Sequence, residues 1–194
     1  MLEDGSVYEG TARGDFKETA CEIVFNTSMT GYVEILTDPS YAGQGVVMTY
    51  PMIGNYGISR EDFESERLQP SAFIVHELSS DPSNFRCTDT IENLLKEYNI
   101  PCISGVDTRA VVKKLRESGT MRGVLTSDIG DRERLMDVIK SFRQIDLVGS
   151  VTAKQTKVYG EENTGAEIAL MDFGTKRNII NNLVRSEERR VGKE

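Results

Sequence analysis

The chain has 194 residues, with 23 basic and 31 acidic side chains and a formal net charge of −8. This acidic balance argues against nucleic acid as the main partner, because phosphate binding needs clustered Lys and Arg. A bilayer span needs about 20 consecutive apolar residues, and no run in the sequence approaches that length. The start, Met1 to Gly5, has neither the basic segment nor the apolar stretch of a signal peptide. We therefore expect a cytoplasmic protein with no membrane partner.

The first third of the sequence indicates β-structure. Asp4-Gly5 is typical of a hairpin turn that leads into a strand over residues 6–9. Two further strands are predicted over residues 22–25 and 46–50, and Pro51 ends the second of them. The loops around these strands are rich in glycine, which permits positive φ and close backbone approach.

The middle of the sequence alternates between strand and helix patterns. The predicted elements are a strand over residues 71–78, a helix from the Asp89 cap to Asn99, a strand over 100–104, a helix from the Thr108 cap to Gly119, a strand over 124–126 and a helix over 131–142. The first and last of these helices carry apolar residues at i, i+3, i+4 and i+7, which gives each one a buried face. The middle helix carries Val111, Val112 and Leu115. Such alternation favours a parallel or mixed sheet covered by helices, and thus an α/β fold.

A second unit is predicted after residue 150. Residues 151–166 have the polar composition of a linker. Residues 167–174 form an apolar pattern that predicts a strand ending in a turn, and residues 176–184 predict the start of a helix. Two elements cannot bury each other's apolar faces, so we expect this unit to be incomplete. Residues 185–194 are mostly charged and have no apolar period.

Few side chains in the sequence are suited to catalysis or metal binding. His76 is the only histidine, which excludes a multi-histidine metal site. A Ser-His or Cys-His pair would depend on it, but a structural or surface role is the simpler interpretation in a strand-forming segment. The three cysteines form no CxxC pair, so we expect reduced, mostly packed thiols. No phosphate-binding glycine loop or Gly-x-Ser-x-Gly elbow is present.

Three polar stretches are candidate ligand or interface sites, and each has a structural alternative. Residues 26–32 are either an exposed binding loop or ordinary turn chemistry. In residues 37–41, Pro39 favours a β-turn that exposes the Ser40 hydroxyl, which could contact a ligand or cap the turn. Residues 107–109 crowd a carboxylate, a hydroxyl and a guanidinium at a helix start, where capping is the alternative.

Five blocks of the sequence, taken together and in order, resemble the small (glutaminase) subunit of carbamoyl phosphate synthetase. The blocks are residues 3–5, 25–41, 49–57, 104–109 and 172–179. The resemblance implies a three-layer, swivelling β/β/α N-terminal domain over residues 1–150 and a linker over 151–166. Residues 167–184 would be the truncated start of a flavodoxin-like class I amidotransferase domain, and residues 185–194 would be a tail foreign to the family.

The resemblance also implies a function. In that family the small subunit hydrolyses glutamine through a Cys-His-Glu triad and passes ammonia to a large subunit. The large subunit uses bicarbonate, ATP and Mg²⁺ to make carbamoyl phosphate for arginine and pyrimidine synthesis. The expected partner is therefore this large subunit, in a heterodimer or a higher oligomer.

The sequence departs from the family in its catalytic residues. The Gly-x-Cys-x-Gly nucleophile segment and the later His and Glu are absent, so the triad is expected to lie beyond a truncation. The chain is then predicted to be inactive alone, with no catalytic residue, metal site or cofactor of its own. Ser40 is the one glutamine-contacting residue that the resemblance carries over. Two alternatives stay open: a stand-alone docking or regulatory module, and an independent small-ligand domain.

Overall fold

The computed structural model describes residues 1–14, 16–143, 146–162, 165 and 167–190, with side chains described as far as Arg185. The strands are β1 Thr11–Arg13, β2 Thr19–Asn26, β3 Gln44–Met48, β4 Met52–Ile53, β5 Ala72–Ile74, β6 Glu77–Leu78, β7 Cys102–Ser104 and β8 Met121–Leu125. The helices are α1 Tyr32–Thr37, α2 Ile91–Glu97, α3 Thr108–Ser118, α4 Arg132–Ser141, α5 Leu147–Val151 and α6 Arg177–Arg190. Short 3₁₀ turns cover Pro39–Tyr41 and Arg60–Asp62.

The main sheet is mixed, as the sequence predicted. Its six strands lie in the order β1-β7-β5-β3-β2-β8. The four inner strands β7, β5, β3 and β2 run parallel, whereas β1 and β8 pair antiparallel at the two sides. The four parallel strands therefore end at the same edge of the sheet, which we call the carboxyl edge. The loops at residues 27–31, 49–57, 75–90 and 105–107 leave the strands there.

Apolar side chains pack against both faces of this sheet. On one face, α1 and α2 contribute Leu36, Leu94 and Leu95 to a cluster around Phe73. On the other face, α3 packs Val111 and neighbouring residues against alternate positions of the same strands. Successive strand residues point to opposite faces, so strands buried on both faces read as continuous apolar runs. The prediction of a mixed α/β fold is confirmed.

The three central helices form where their patterns predicted them, with caps shifted by one residue in two cases. The α2 cap is Thr90, whose hydroxyl accepts from Asn93 N at 3.2 Å, rather than Asp89. The α3 cap is Asp107, which accepts from Ala110 N at 2.9 Å, rather than Thr108. In both pairs of adjacent residues either side chain can cap, so the sequence alone did not distinguish them.

The first predicted strand is wrong, and the one over residues 71–78 is divided. The turn forms, with Gly5 N donating to Leu2 O at 2.9 Å, but residues 6–9 are not a strand. None of the described strands pairs with them, whereas Leu2 forms an isolated bridge to Gly123. Residues 71–78 split into two strands because their pairing partners differ: β5 pairs with β7, whereas β6 pairs with β4.

The predicted strand over residues 167–174 is also wrong. The described residues of this segment are irregular, and Ile168, Leu170, Met171 and Phe173 are exposed. A strand needs a neighbour for its backbone groups, and none of the described strands pairs with this segment. The following helix α6 forms and is longer than predicted. Within the described part of the chain, no helix combines the length and the apolar character that crossing a membrane requires.

Candidate functional site

Ser40 lies in the 3₁₀ turn between α1 and β3. The turn begins with Asp38, whose Oδ1 accepts from Ser40 N at 2.9 Å, and Ala42 N donates to Pro39 O at 3.1 Å. The fixed φ of Pro39 suits the first position of such a turn. Ser40 is exposed, and its hydroxyl makes no hydrogen bond to another described residue. The exposed hydroxyl predicted at this position is therefore present, on a turn that is held in place.

An ion pair joins this turn to the far end of the chain. Asp38 is only 6% exposed, and its Oδ2 lies 2.5 Å from Lys176 Nζ. The hydrogen bond to Asp38 raises the pKa of Lys176. A buried carboxylate is costly without a cationic partner. Lys176 thus neutralises the group that shapes the Ser40 turn.

A second set of contacts fixes the start of α6 beside this pair. Glu64 O accepts from Arg177 N at 2.8 Å, and Glu64 Oε2 accepts from Asn178 N at 2.9 Å. Helix starts leave backbone amides without carbonyl partners and favour negative charge. Glu64 provides two oxygen acceptors for these amides and a negatively charged carboxylate. Glu64 is itself buried, and its amide donates to Thr37 Oγ1 at 2.9 Å. Polar contacts therefore hold residues 176–178 to Asp38, at the end of α1, and to Glu64.

A cleft of about 290 Å³ lies between these elements. Its lining residues come from the loop after β2, from α1, from the Ser40 turn and from the start of α6: Asn26, Ser28, Thr30, Gly31, Glu34, Ile35, Asp38, Tyr41 and Lys176. Asn26 Nδ2 donates to Tyr41 Oη at 2.8 Å, which ties the loop to the turn. Burial and the nearby carboxylates raise the pKa of Glu34. The cleft is open to solvent, and its lining includes two acidic side chains, Glu34 and Asp38, and one basic side chain, Lys176.

Two stacked tyrosines hold the loop that borders this cleft. The rings of Tyr32 and Tyr56 have centroids 4.2 Å apart and an interplanar angle of 19°. Tyr56 Oη accepts from Gly31 N at 2.7 Å and from Tyr32 N at 3.2 Å, at the start of α1. Gly31 has a φ of 83°, a left-handed conformation that glycine adopts without strain. Sequence patterns alone gave no sign of this tertiary cap.

The other candidate residues lie outside the cleft. Asp107 caps α3, as the structural alternative held, and Arg109 is exposed beside it. His76 is exposed, with Nδ1 3.1 Å from Val106 O. Neither residue lines the cleft, and Ser40 is not a lining residue either: its turn contributes Asp38 and Tyr41.

All three thiols are free, and two of them, Cys21 and Cys102, are poorly suited to nucleophilic attack. Burial raises the pKa of Cys21 and of Cys102 to about 12, and only a thiolate is a good nucleophile. Cys87 is half-buried, and its Sγ lies 3.4 Å from Asp89 O. Over the described ranges, no group of three or more His, Cys, Asp or Glu side chains is arranged to hold a metal ion.

Comparison with known proteins identifies relatives that match most of the chain. The family model for the carbamoyl-phosphate synthase small chain, CPSase domain, matches residues 1–125. The carbamoyl phosphate synthase small chain of Clostridium perfringens is 47% identical over 186 residues, which are 95% of this chain and 52% of that protein. The small chain of Archaeoglobus fulgidus is 47% identical over 189 residues, again 95% and 52%. The small chain of Caldanaerobacter subterraneus is 47% identical over 179 residues, 92% and 48%. The chain thus spans about half the length of the curated relatives it matches.

Proposed function

Because the chain belongs to the carbamoyl-phosphate synthase small chain family, we propose that it supplies the N-terminal part of a glutamine-hydrolysing small subunit. In this proposal the complete subunit releases ammonia from glutamine for a large subunit, and the complex makes carbamoyl phosphate for arginine and pyrimidine synthesis. ATP and Mg²⁺ would act on the large subunit, and the ligase would work in the cytoplasm. The swivelling β/β/α fold of residues 1–150, the linker and the flavodoxin-like start over residues 167–184 are parts of the same proposal.

The observation that carries the proposal is the exposed Ser40 hydroxyl on a turn fixed by Asp38 and Lys176. Residues 172–178 belong to the block that would open the amidotransferase domain. Within this block, Lys176 pairs with Asp38 of the Ser40 turn, and Asn178 N donates to Glu64. A domain built onto α6 would therefore lie next to Ser40. The hydroxyl would then hydrogen-bond the polar end of glutamine across the boundary between the two domains.

In this proposal the buried thiols of the chain leave the nucleophilic step to the remaining part of the subunit. Amide hydrolysis of this type begins when a thiolate attacks the side-chain carbonyl of glutamine, which forms a thioester and releases ammonia. Water then cleaves the thioester and releases glutamate. Burial leaves Cys21 and Cys102 protonated at neutral pH, and the sequence has no second histidine. The nucleophile and base would come from the half of the relatives that this chain does not span, so the chain alone is expected to be inactive.

A chimera tests this proposal. Residues 1–184 are joined to the remaining half of the Clostridium perfringens small chain and combined with the large chain of that organism. Glutamine-dependent carbamoyl phosphate synthesis by the chimera, and no glutamate release by the 194-residue chain alone, is the expected result. Glutamate release by the chain alone that stops on thiol alkylation would contradict the proposal. A large chain that gains no glutamine-dependent activity from the chimera would instead favour a stand-alone docking or regulatory module.

A further inference from the structure

Gly174 lies where the chain passes between the Ser40 turn and α5, just before the start of α6. Its backbone is so close to both that an added methyl group would lie 2.8 Å from Val151 Cγ2 and 3.1 Å from Pro39 Cβ. Carbon atoms in ordinary contact are about 3.5–4.0 Å apart. Gly174 also has a φ of 105°, in the left-handed region that residues with a side chain rarely adopt. Two independent constraints therefore favour glycine at this position.

Hydrogen bonds hold the backbone around Gly174 in place. Asp172 Oδ1 accepts from Gly174 N at 2.9 Å and from Thr175 N at 2.7 Å, which closes a turn around the glycine. Asp172 O accepts from Ala153 N at 3.1 Å, which ties this turn to the residues just after α5. A backbone with these bonds cannot move aside without breaking them. A side chain at position 174 would therefore press on Pro39.

Pro39 passes any displacement on to Ser40, because both belong to the same short 3₁₀ turn. Pro39 is buried, so its ring has little free space on the other side. The turn is also fixed at Asp38, whose Oδ1 accepts from Ser40 N at 2.9 Å. A hydrogen bond weakens steeply when its distance or angle leaves a narrow range. The contact at Gly174 therefore affects whether the Ser40 hydroxyl can reach a ligand.

We propose that Gly174 is a positioning residue for glutamine, because its missing side chain lets Pro39 and Val151 close on the chain and so fixes Ser40 relative to α6. This inference rests on the proposed function, in which Ser40 contacts glutamine across the boundary between two domains. Gly174 touches no substrate in this proposal and acts through Pro39 and Ser40. Groups that hold a substrate must be kept within about 0.5 Å of the productive geometry, and a close backbone contact provides such a constraint.

Steady-state kinetics of the chimera with the large chain test this role. Gly174→Ala should raise the KM for glutamine roughly threefold to tenfold, as for the loss of one neutral hydrogen bond, and leave ammonia-dependent synthesis unchanged. The matched control is Gly5→Ala. Gly5 has a φ of 84°, but an added methyl group would meet no described atom within 4 Å. This control carries the backbone strain without the contact, so its melting temperature should fall while its KM for glutamine stays at the wild-type value.

A double-mutant cycle with Ser40→Ala separates positioning from a general loss of structure. Since Gly174 acts through the Ser40 hydroxyl, adding Gly174→Ala to Ser40→Ala should raise the KM no further. Val151→Ala removes Cγ2, the atom nearest to the added methyl group, so combining it with Gly174→Ala should restore part of the affinity for glutamine. Where Gly174→Ala alone does not fold, this combined variant takes its place in the cycle.

The possible outcomes separate the two proposals. A wild-type chimera that makes no carbamoyl phosphate from glutamine would overturn the proposed function and, with it, the role of Gly174. An active wild-type chimera whose KM for glutamine is unchanged by Gly174→Ala would overturn the positioning role alone. A KM that rises equally with and without the Ser40 hydroxyl would also refute that role, because Gly174 would then act by a route other than Ser40.

Discussion

Lys176→Ala is the sharpest test of the link between the Ser40 turn and α6. The change removes the ammonium group that lies 2.5 Å from Asp38 Oδ2. Asp38, which is only 6% exposed in the wild type, then loses the charged partner of its carboxylate. Removing one partner of a buried pair costs about 3–5 kcal/mol. The Lys176 side chain is 41% exposed, so water screens the pair, and surface pairs contribute only about 0–1 kcal/mol. We therefore expect an intermediate loss of about 1–2 kcal/mol.

Calorimetry measures this loss as a fall in melting temperature. For a chain of this size, 1 kcal/mol corresponds to about 2–4 °C, so Lys176→Ala should melt about 2–8 °C lower. Lys113→Ala is the matched control, because Lys113 is exposed on α3 and far from Asp38 in the fold. A double-mutant cycle with Asp38→Asn keeps the oxygen that accepts from Ser40 N and isolates the charge pair. A coupling energy near zero would refute the reasoning.

The same pair predicts a dependence on alkaline pH. The pKa of Lys176 is raised above its ordinary value of 10.5 in the folded chain. The contribution to stability is therefore complete below 10.5 and disappears as the pH rises through the folded pKa. The difference in melting temperature between the wild type and Lys176→Ala should shrink in that range.

Three further predictions follow from other parts of the structure. In the chimera, Ser40→Ala should raise the KM for glutamine roughly threefold to tenfold, as expected for one neutral hydrogen bond, and leave ammonia-dependent synthesis unchanged. The control is Ser118→Ala, at an exposed serine of α3. An equal loss of activity with glutamine and with ammonia would assign Ser40 to folding. The hydrogen bond from Arg134 lowers the pKa of Glu18 from 4.5 to about 2, so its stabilising effect is present above 4.5 and is lost as the pH falls through about 2. The melting temperatures of the wild type and Glu18→Gln should therefore differ at pH 6 and become equal at acid pH. A difference in melting temperature that stays constant with pH would contradict this. Phe73→Ala should lower the free energy of unfolding by about 3–5 kcal/mol in urea melts, because Phe73 is fully buried between strands and helices; a loss under 1 kcal/mol would show a loosely packed core.

Local sequence patterns predicted the elements whose structure is decided locally. The apolar stripe of residues 91–98 predicted α2, because helix periodicity and capping depend on neighbours three or four residues away. The strands over residues 6–9 and 167–174 were wrong because a strand depends on the partner that pairs with it. Residues 6–9 have the right composition, but none of the described strands pairs with them.

The same distinction applies to the candidate site. The turn that exposes Ser40 could be predicted, because Pro39 restricts its own φ and Asp38 caps the next residues. The ion pair with Lys176 and the role of Glu64 could not be predicted from patterns, because they join segments from opposite ends of the chain. The resemblance had placed residues 172–179 in the amidotransferase domain and Ser40 at the glutamine of that domain, but it named no residue contact between the two segments.

The Tyr56 hydroxyl that closes the start of α1 sets an order of events during folding. The helix has only six residues, and helices this short are marginal without outside contacts. Its first amides find their acceptor on a loop that follows β3. A growing chain leaves the ribosome from its N-terminus, so residues 32–37 emerge well before Tyr56 does. The helix therefore cannot be an early, local folding unit, and it must wait until β3 and the loop beyond it have been synthesised.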